Sequence, residues 1–223
     1  MSRPPFPRTL GLLALALVAL LYGLVPGLSP EETRLVGRSR GAQRALWAHQ
    51  RALGLPQSEE EDPNRTGFVG VEWSPLTTTL GELPAKRTAA NPLFGVRCLR
   101  WFRELGLQRG DRIAVFSSSS FPGLLYAVLA AAESAGLEPT LVVSLGSSTW
   151  GANRPELPWP SMARFLRREG YLRTSATAYT LGGDQETGGG IPEEGRRILE
   201  RAAREDGTPL WTESGTPEAR LEG

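Results

Sequence analysis

The sequence predicts an α/β domain with a doubly wound, mostly parallel, Rossmann-like sheet, preceded by an N-terminal transmembrane helix. Three observations carry this reading. Short β-branched and apolar runs alternate with stretches of helical periodicity between Pro92 and Asp206. Small or turn-forming residues follow each strand-like run. Residues 9–28, TLGLLALALVALLYGLVPGL, hold no charged residue over about 20 positions, the length a bilayer core requires.

The elements follow in order. Residues 1–8 form a leader in which Arg3 and Arg8 favour a cytoplasmic N-terminus, although Arg34, Arg38, Arg40 and Arg44 beyond the span weaken the charge asymmetry. A cleaved signal peptide is the alternative, but the run is long and no A-x-A site follows it, so an uncleaved anchor is favoured. Ser29, Pro30, Glu31 and Glu32 start a juxtamembrane helix within residues 29–57, expected to act as a stalk with an arginine-rich face. The break SEEEDPNR, residues 58–65, opens the α/β domain, placed at 58–211.

Residues 66–92 carry turn chemistry with bulky Phe68, Trp73 and Leu76, and read as a short strand and an ordered loop. Leu93, Val96, Leu99, Phe102 and Leu105 recur at near-helical spacing. The strand RIAVFSS follows, then the small-residue helix LLYAVLAAAESAG, the strand PTLVVSLGSS and a helix around MARFLRREG. A strand around SATAYTL, a glycine-rich loop and the helix EEGRRILERAARED complete the alternation, with residues 212–223 as an irregular tail. Such alternation implies a parallel sheet covered on both faces and right-handed crossovers.

Composition excludes several classes of function. The 25 basic and 24 acidic residues give a formal net charge of +1, with no electrostatic footprint for nucleic acid. Cys98 is the only cysteine, so an intrachain disulfide and a cysteine-rich metal site are both excluded. The single histidine, His49, lies in the juxtamembrane helix, which disfavours a Ser-His-Asp triad and excludes a multi-histidine metal site. There is no phosphate-binding P-loop, no G-x-G-x-x-G after a strand and no G-x-S-x-G. No cofactor or oligomeric state is indicated.

Ligands of such sheets gather beyond the carboxyl ends of the strands, which singles out three loops. In the first, Ser117, Ser118, Ser119 and Ser120 precede Phe121-Pro122-Gly123 at a helix N-terminus, suited either to an anion or to plain N-capping. The second combines Ser147, Ser148, Asn153 and Arg154 with Trp150; Arg154 has the geometry for a bidentate grip on a carboxylate. The third, GGDQETGGG, sets Asp184 and Glu186 among five glycines, as cation ligands, as an acid and base, or as part of a solvated loop. Lys86, the sole lysine, stands beside Arg87 and invites a role that needs a compact or deprotonatable amine.

The blocks TGFVGVEWSPLTTTLGELPAKRTAANP, VFSSSSFPG, VSLGSSTWGANRPELPW and LGGDQETGGGI resemble those of a bacterial family of poly-γ-glutamate system proteins, from about Thr66 to about Leu210. The tail TESGTPEARLEG departs from that pattern, where such a family is expected to continue. The resemblance implies a part in making, exporting or anchoring poly-γ-glutamate at the cell envelope, alongside a membrane-associated synthase complex, while the expected cytoplasmic N-terminus places the domain on the extracytoplasmic side. It assigns no catalytic residue. Three roles stay open: an anchored module that binds the anionic polymer or its synthase complex, an enzyme acting on the polymer, and a purely structural membrane subunit. A meeting of Ser119, Lys86 or Asp184 within hydrogen-bond reach would favour the enzyme.

Overall fold

The computed structural model describes residues 27–211. The leader, the apolar run up to residue 26 and the tail from residue 212 lie outside the described residues. Among those described, no helix is long and apolar enough to cross a membrane.

Helix α1, Pro30–Ala52, starts as its sequence predicts. Ser29 and Glu32 form a reciprocal capping box, each side chain accepting from the other's backbone N–H. The helix does not stand apart as a stalk. Leu35, Ala42 and Leu46 are buried in one apolar cluster with Leu99, Leu129 and Phe165, and the Arg38 guanidinium pairs with Glu133. The helix therefore shares the core of the domain that the sequence pattern places at 58–211. The charged break at 58–65 is a turn within it, where buried Asp62 accepts from Thr66 Oγ1 at 3.0 Å and Gly67 N at 2.8 Å.

Strand β1, Thr77–Thr79, is followed by two helices, α2 at Leu83–Ala89 and α3 at Leu93–Glu104. The pattern had shown only the second. Strand β2, Arg112–Ser118, leads into α4, Pro122–Ala135, which has Pro122 in its first turn and stops at Gly136 with φ 73°. Then come β3, Glu138–Ser144, the two-residue β4, Ser147–Ser148, and α5, Trp159–Arg168. Strand β5, Ala178–Thr180, helix α6, Glu193–Asp206, and β6, Leu210–Trp211, end the described chain.

The main sheet is parallel throughout, in the order β2-β3-β5-β6, and β1 pairs in parallel with β4 in a second, two-stranded sheet. The fold is thus α/β with parallel sheets, but the order of the main sheet runs in one direction, without the reversal that a doubly wound sheet contains. Right-handed crossovers in such an order place successive helices on one face, and α5 does pack on α6. Leu141, Val143 and Tyr179 point into the core on one face. On the opposite face of β2, Ala114, Phe116 and Ser118 are exposed, so the expected cover on both faces is not met at this edge strand. Register aligns Ser118 with Ser144 and Ser144 with Thr180, which brings the loops after β2, β3 and β5 to one edge.

Candidate functional site

The first and second loops interlock, and α2 is laid against them. Ser147 Oγ donates to Ser119 O at 3.1 Å, Ser148 N to Ser120 Oγ at 3.1 Å, and Ala152 N to Ser119 O at 2.9 Å. Ser119 is fully buried, its hydroxyl donating to Ser144 O at 3.0 Å. Asn153, also fully buried, grips the segment before β1: its Oδ1 accepts from Val71 N at 2.9 Å, and its Nδ2 donates to Val71 O and Thr77 Oγ1. Ser119, Ser147 and Asn153 thus hold the loops in place. Neither Ser119 nor Ser120 caps α4, which makes no side-chain cap bond, because their hydroxyls are engaged across the loops.

Lys86 reaches into this junction from α2 and is only 4% exposed. Its Nζ donates to Ser148 Oγ at 2.6 Å and to Ser120 O at 2.5 Å, and it lies 3.7 Å from the centroid of the Phe121 ring. No carboxylate pairs with it among the described residues. Burial therefore pulls its ammonium down from 10.5 to about 8. Of the three residues whose meeting bears on enzymatic chemistry, only Lys86 reaches a serine hydroxyl, and that hydroxyl belongs to Ser148 rather than Ser119.

The third loop stays outside this cluster. Glu186 accepts from Thr180 Oγ1 at 2.5 Å and lines a shallow hollow of about 260 Å³ with Ser117, Ser118 and Ser144. Asp184 is exposed, and its backbone closes the loop on Gly189 and Thr187. No group of three or more metal-ligating side chains exists among the described residues.

The arginines divide. Arg154 is 6% exposed, and its buried Nε finds no acceptor. Burial lowers its affinity for the proton, while Glu61, Glu156 and Asp62 act in the opposite sense. Arg87 spends its guanidinium on the backbone carbonyls of Glu60 and Glu61, so its charge is not neutralised by a carboxylate. It opens onto a cleft of about 820 Å³ lined by Arg40, Arg44, Arg65 and Arg87, with Gln43, Trp47 and Asn91 among the other lining groups and no acidic side chain. Arg40 and Arg44 are exposed, lie one turn apart on α1 and have no ion-pair partner among the described residues. Trp47 Nε1 is buried without an acceptor. A neighbouring hollow of about 500 Å³ shares Arg40, Asn91 and Pro92 and extends the groove along α1.

Arg40, Arg44, Arg65 and Trp47 were not among the sequence candidates. The signal for Arg40, Arg44 and Trp47 is the arginine-rich helix that the sequence presents as a stalk, and Arg65 stands in the charged break at 58–65. Compared with protein-family models, curated proteins and solved structures, the chain matches none of them.

Proposed function

We propose that the protein is a membrane-tethered accessory component of poly-γ-glutamate synthesis or export, and that it holds the anionic polymer in the arginine-lined cleft. The observation that carries this reading is the lining itself: four arginines, no acidic side chain, and two of the arginines unpaired on adjacent turns of α1. Placing like charges one turn apart costs the helix a few tenths of a kcal/mol. A ligand with one carboxylate per repeating unit offsets that cost and meets guanidinium groups that stay charged at every accessible pH. The extension of the groove past Arg40 suits a chain rather than a single small anion. The blocks from Thr66 to Leu210 supply the chemical identity of the polymer through their resemblance, and the uncharged run at residues 9–28 supplies the tether.

The test is titration of the full chain, in detergent, with poly-γ-glutamate while tryptophan fluorescence is followed, since Trp47 lines the cleft. Saturable binding that weakens with added salt is expected, with a loss of at least about tenfold in affinity when Arg40→Glu and Arg44→Glu are combined. An absence of saturable binding at low salt, or equal binding by the double variant, refutes the assignment of the polymer to this cleft.

A further inference from the structure

The polymer cleft leaves the Lys86 junction without a role. Ser148 is fixed there from three directions. Its backbone pairs with Thr79 through β1 and β4, its N–H donates to Ser120 Oγ, and its carbonyl accepts from Gly151 N and Ser147 Oγ. Its Oγ faces the Lys86 amine at 2.6 Å. As an ammonium, Lys86 divides its protons between Ser120 O, Ser148 Oγ and the Phe121 ring. As a neutral amine it keeps an N–H on Ser120 O and can turn its lone pair toward the Ser148 hydroxyl. We propose that Ser148 and Lys86 are a nucleophile and its general base, acting on carboxylic esters or amides.

In the acylation step Lys86 Nζ takes the Ser148 hydroxyl proton as Oγ bonds to the acyl carbon, and the carbonyl electron pair moves onto its oxygen. Collapse of that intermediate restores the carbonyl and breaks the bond to the leaving amine or alcohol, which receives the proton from Lys86. Water then attacks the acyl-Ser148 ester with Lys86 as base, and the proton returns to Ser148 Oγ as the acid departs. The balance is ester or amide plus water giving acid plus alcohol or amine. The Ser120 hydroxyl donates to no acceptor among the described residues and is a candidate donor to the oxyanion. Burial serves this scheme, because an amine near 8 is a competent base at mildly alkaline pH.

Gly81 packs against both groups. A Cβ there would stand 3.0 Å from Ser148 Oγ and 3.2 Å from Lys86 Cε and would crowd the pair, and Ser148 itself is 4% exposed. Leu80 beside it is 80% exposed, and Phe121, under the amine, is also exposed, so the surface next to the pair is apolar.

The full chain, in detergent, is treated with a fluorophosphonate probe from pH 6 to pH 9.5, and the adduct is located by peptide mass spectrometry. Labelling at Ser148 is expected, rising about tenfold per pH unit and levelling above about pH 8 as Lys86 loses its proton. Ser148→Ala removes the adduct, Lys86→Met slows it by at least about 100-fold, and Gly81→Ala slows it by at least about tenfold with both reacting groups retained. Circular dichroism and the thermal midpoint check that each variant is folded, and Gly81→Ala keeps the test open if Lys86→Met is not. A folded wild-type chain without an adduct at Ser148 by pH 9.5 overturns the proposal, as does unchanged labelling in folded Lys86→Met. The probe is unrelated to poly-γ-glutamate, so this result and that of the polymer titration stand or fall separately.

Discussion

Replacing Lys86 by methionine separates the cost of burying its charge from the worth of its hydrogen bonds. In the folded protein the ammonium loses its proton near 8, against 10.5 ordinarily. Between those two pH values the unfolded chain carries a proton that the folded chain does not, so wild-type stability rises with pH across that window. At about 1.4 kcal/mol per tenfold change in proton affinity, the full effect is about 3 kcal/mol, and residual solvent near Nζ reduces it to about 2 kcal/mol. Methionine fills a similar volume and carries no charge, but it leaves Ser120 O and Ser148 Oγ without their donor, at about 1–3 kcal/mol each. At pH 7 the burial penalty that the variant escapes offsets much of that loss. At pH 10 little of the penalty remains in the wild type, and the variant is weaker than wild type by about 2 kcal/mol more than at pH 7. Urea denaturation of both proteins at the two pH values measures this directly, and the tyrosines and arginines cancel in the comparison. A stability difference that is the same at pH 7 and pH 10 would show that Lys86 is not desolvated, and would remove the physical basis for treating it as a base.

Glu133→Ala is expected to cost about 3–5 kcal/mol, because this buried carboxylate accepts from the Arg173 and Thr174 backbone N–H groups, the Thr174 hydroxyl and Arg38, all left unpartnered in the variant; guanidinium denaturation measures it, and a loss below about 1 kcal/mol contradicts the accounting. Arg100→Met tests the acid limb: the Arg100 guanidinium, with the Ser29 N–H, holds Glu32 down at about 2, so that contribution is present above the ordinary carboxylate value and lost as pH falls toward 2. The acid-unfolding midpoint of the variant should therefore rise, and an unmoved midpoint assigns the effect elsewhere. Gly70→Ala is expected to destabilise by about 3 kcal/mol, since a Cβ there would overlap the Gly151 carbonyl oxygen and Asn153 Oδ1; a thermal midpoint within a degree or two of wild type would mean that the second loop yields easily.

What was legible in the sequence was local, and what was not was joined across long separations. Strands β2 and β3 announce themselves through apolar, β-branched runs, and α4 through Pro122 at its start and Gly136 at its end. Strands β4 and β6, two residues each, and the seven-residue α2 are too short to express a period. Helix α1 was visible as a helix, but its buried face includes Glu32, Ser39, Gln43 and Gln50 beside Leu35 and Leu46, so its pattern resembles a solvated rod rather than a core element. Three of these polar groups are tolerated there because they are satisfied: Gln43 donates to Ala90 O, Gln50 donates to Gly67 O, and Glu32 accepts from the Arg100 guanidinium.

The same reasoning divides the basic residues by chemistry. Sequence candidates identified Lys86 and Ser148 separately, yet their 62-residue separation hid the contact that makes either one reactive. Arginine holds its proton at any accessible pH, and it lines the exposed cleft, where a permanent charge attracts an anion without needing to change state. The sole lysine sits where charge is hardest to keep, against a serine hydroxyl and under a glycine. An arginine at position 86 would remain cationic there and could not take a proton from Ser148. Lys86→Arg should therefore preserve a positive charge while abolishing any base-assisted labelling of Ser148. Methionine at the same site removes both, so the two variants together distinguish a requirement for charge from a requirement for a removable proton.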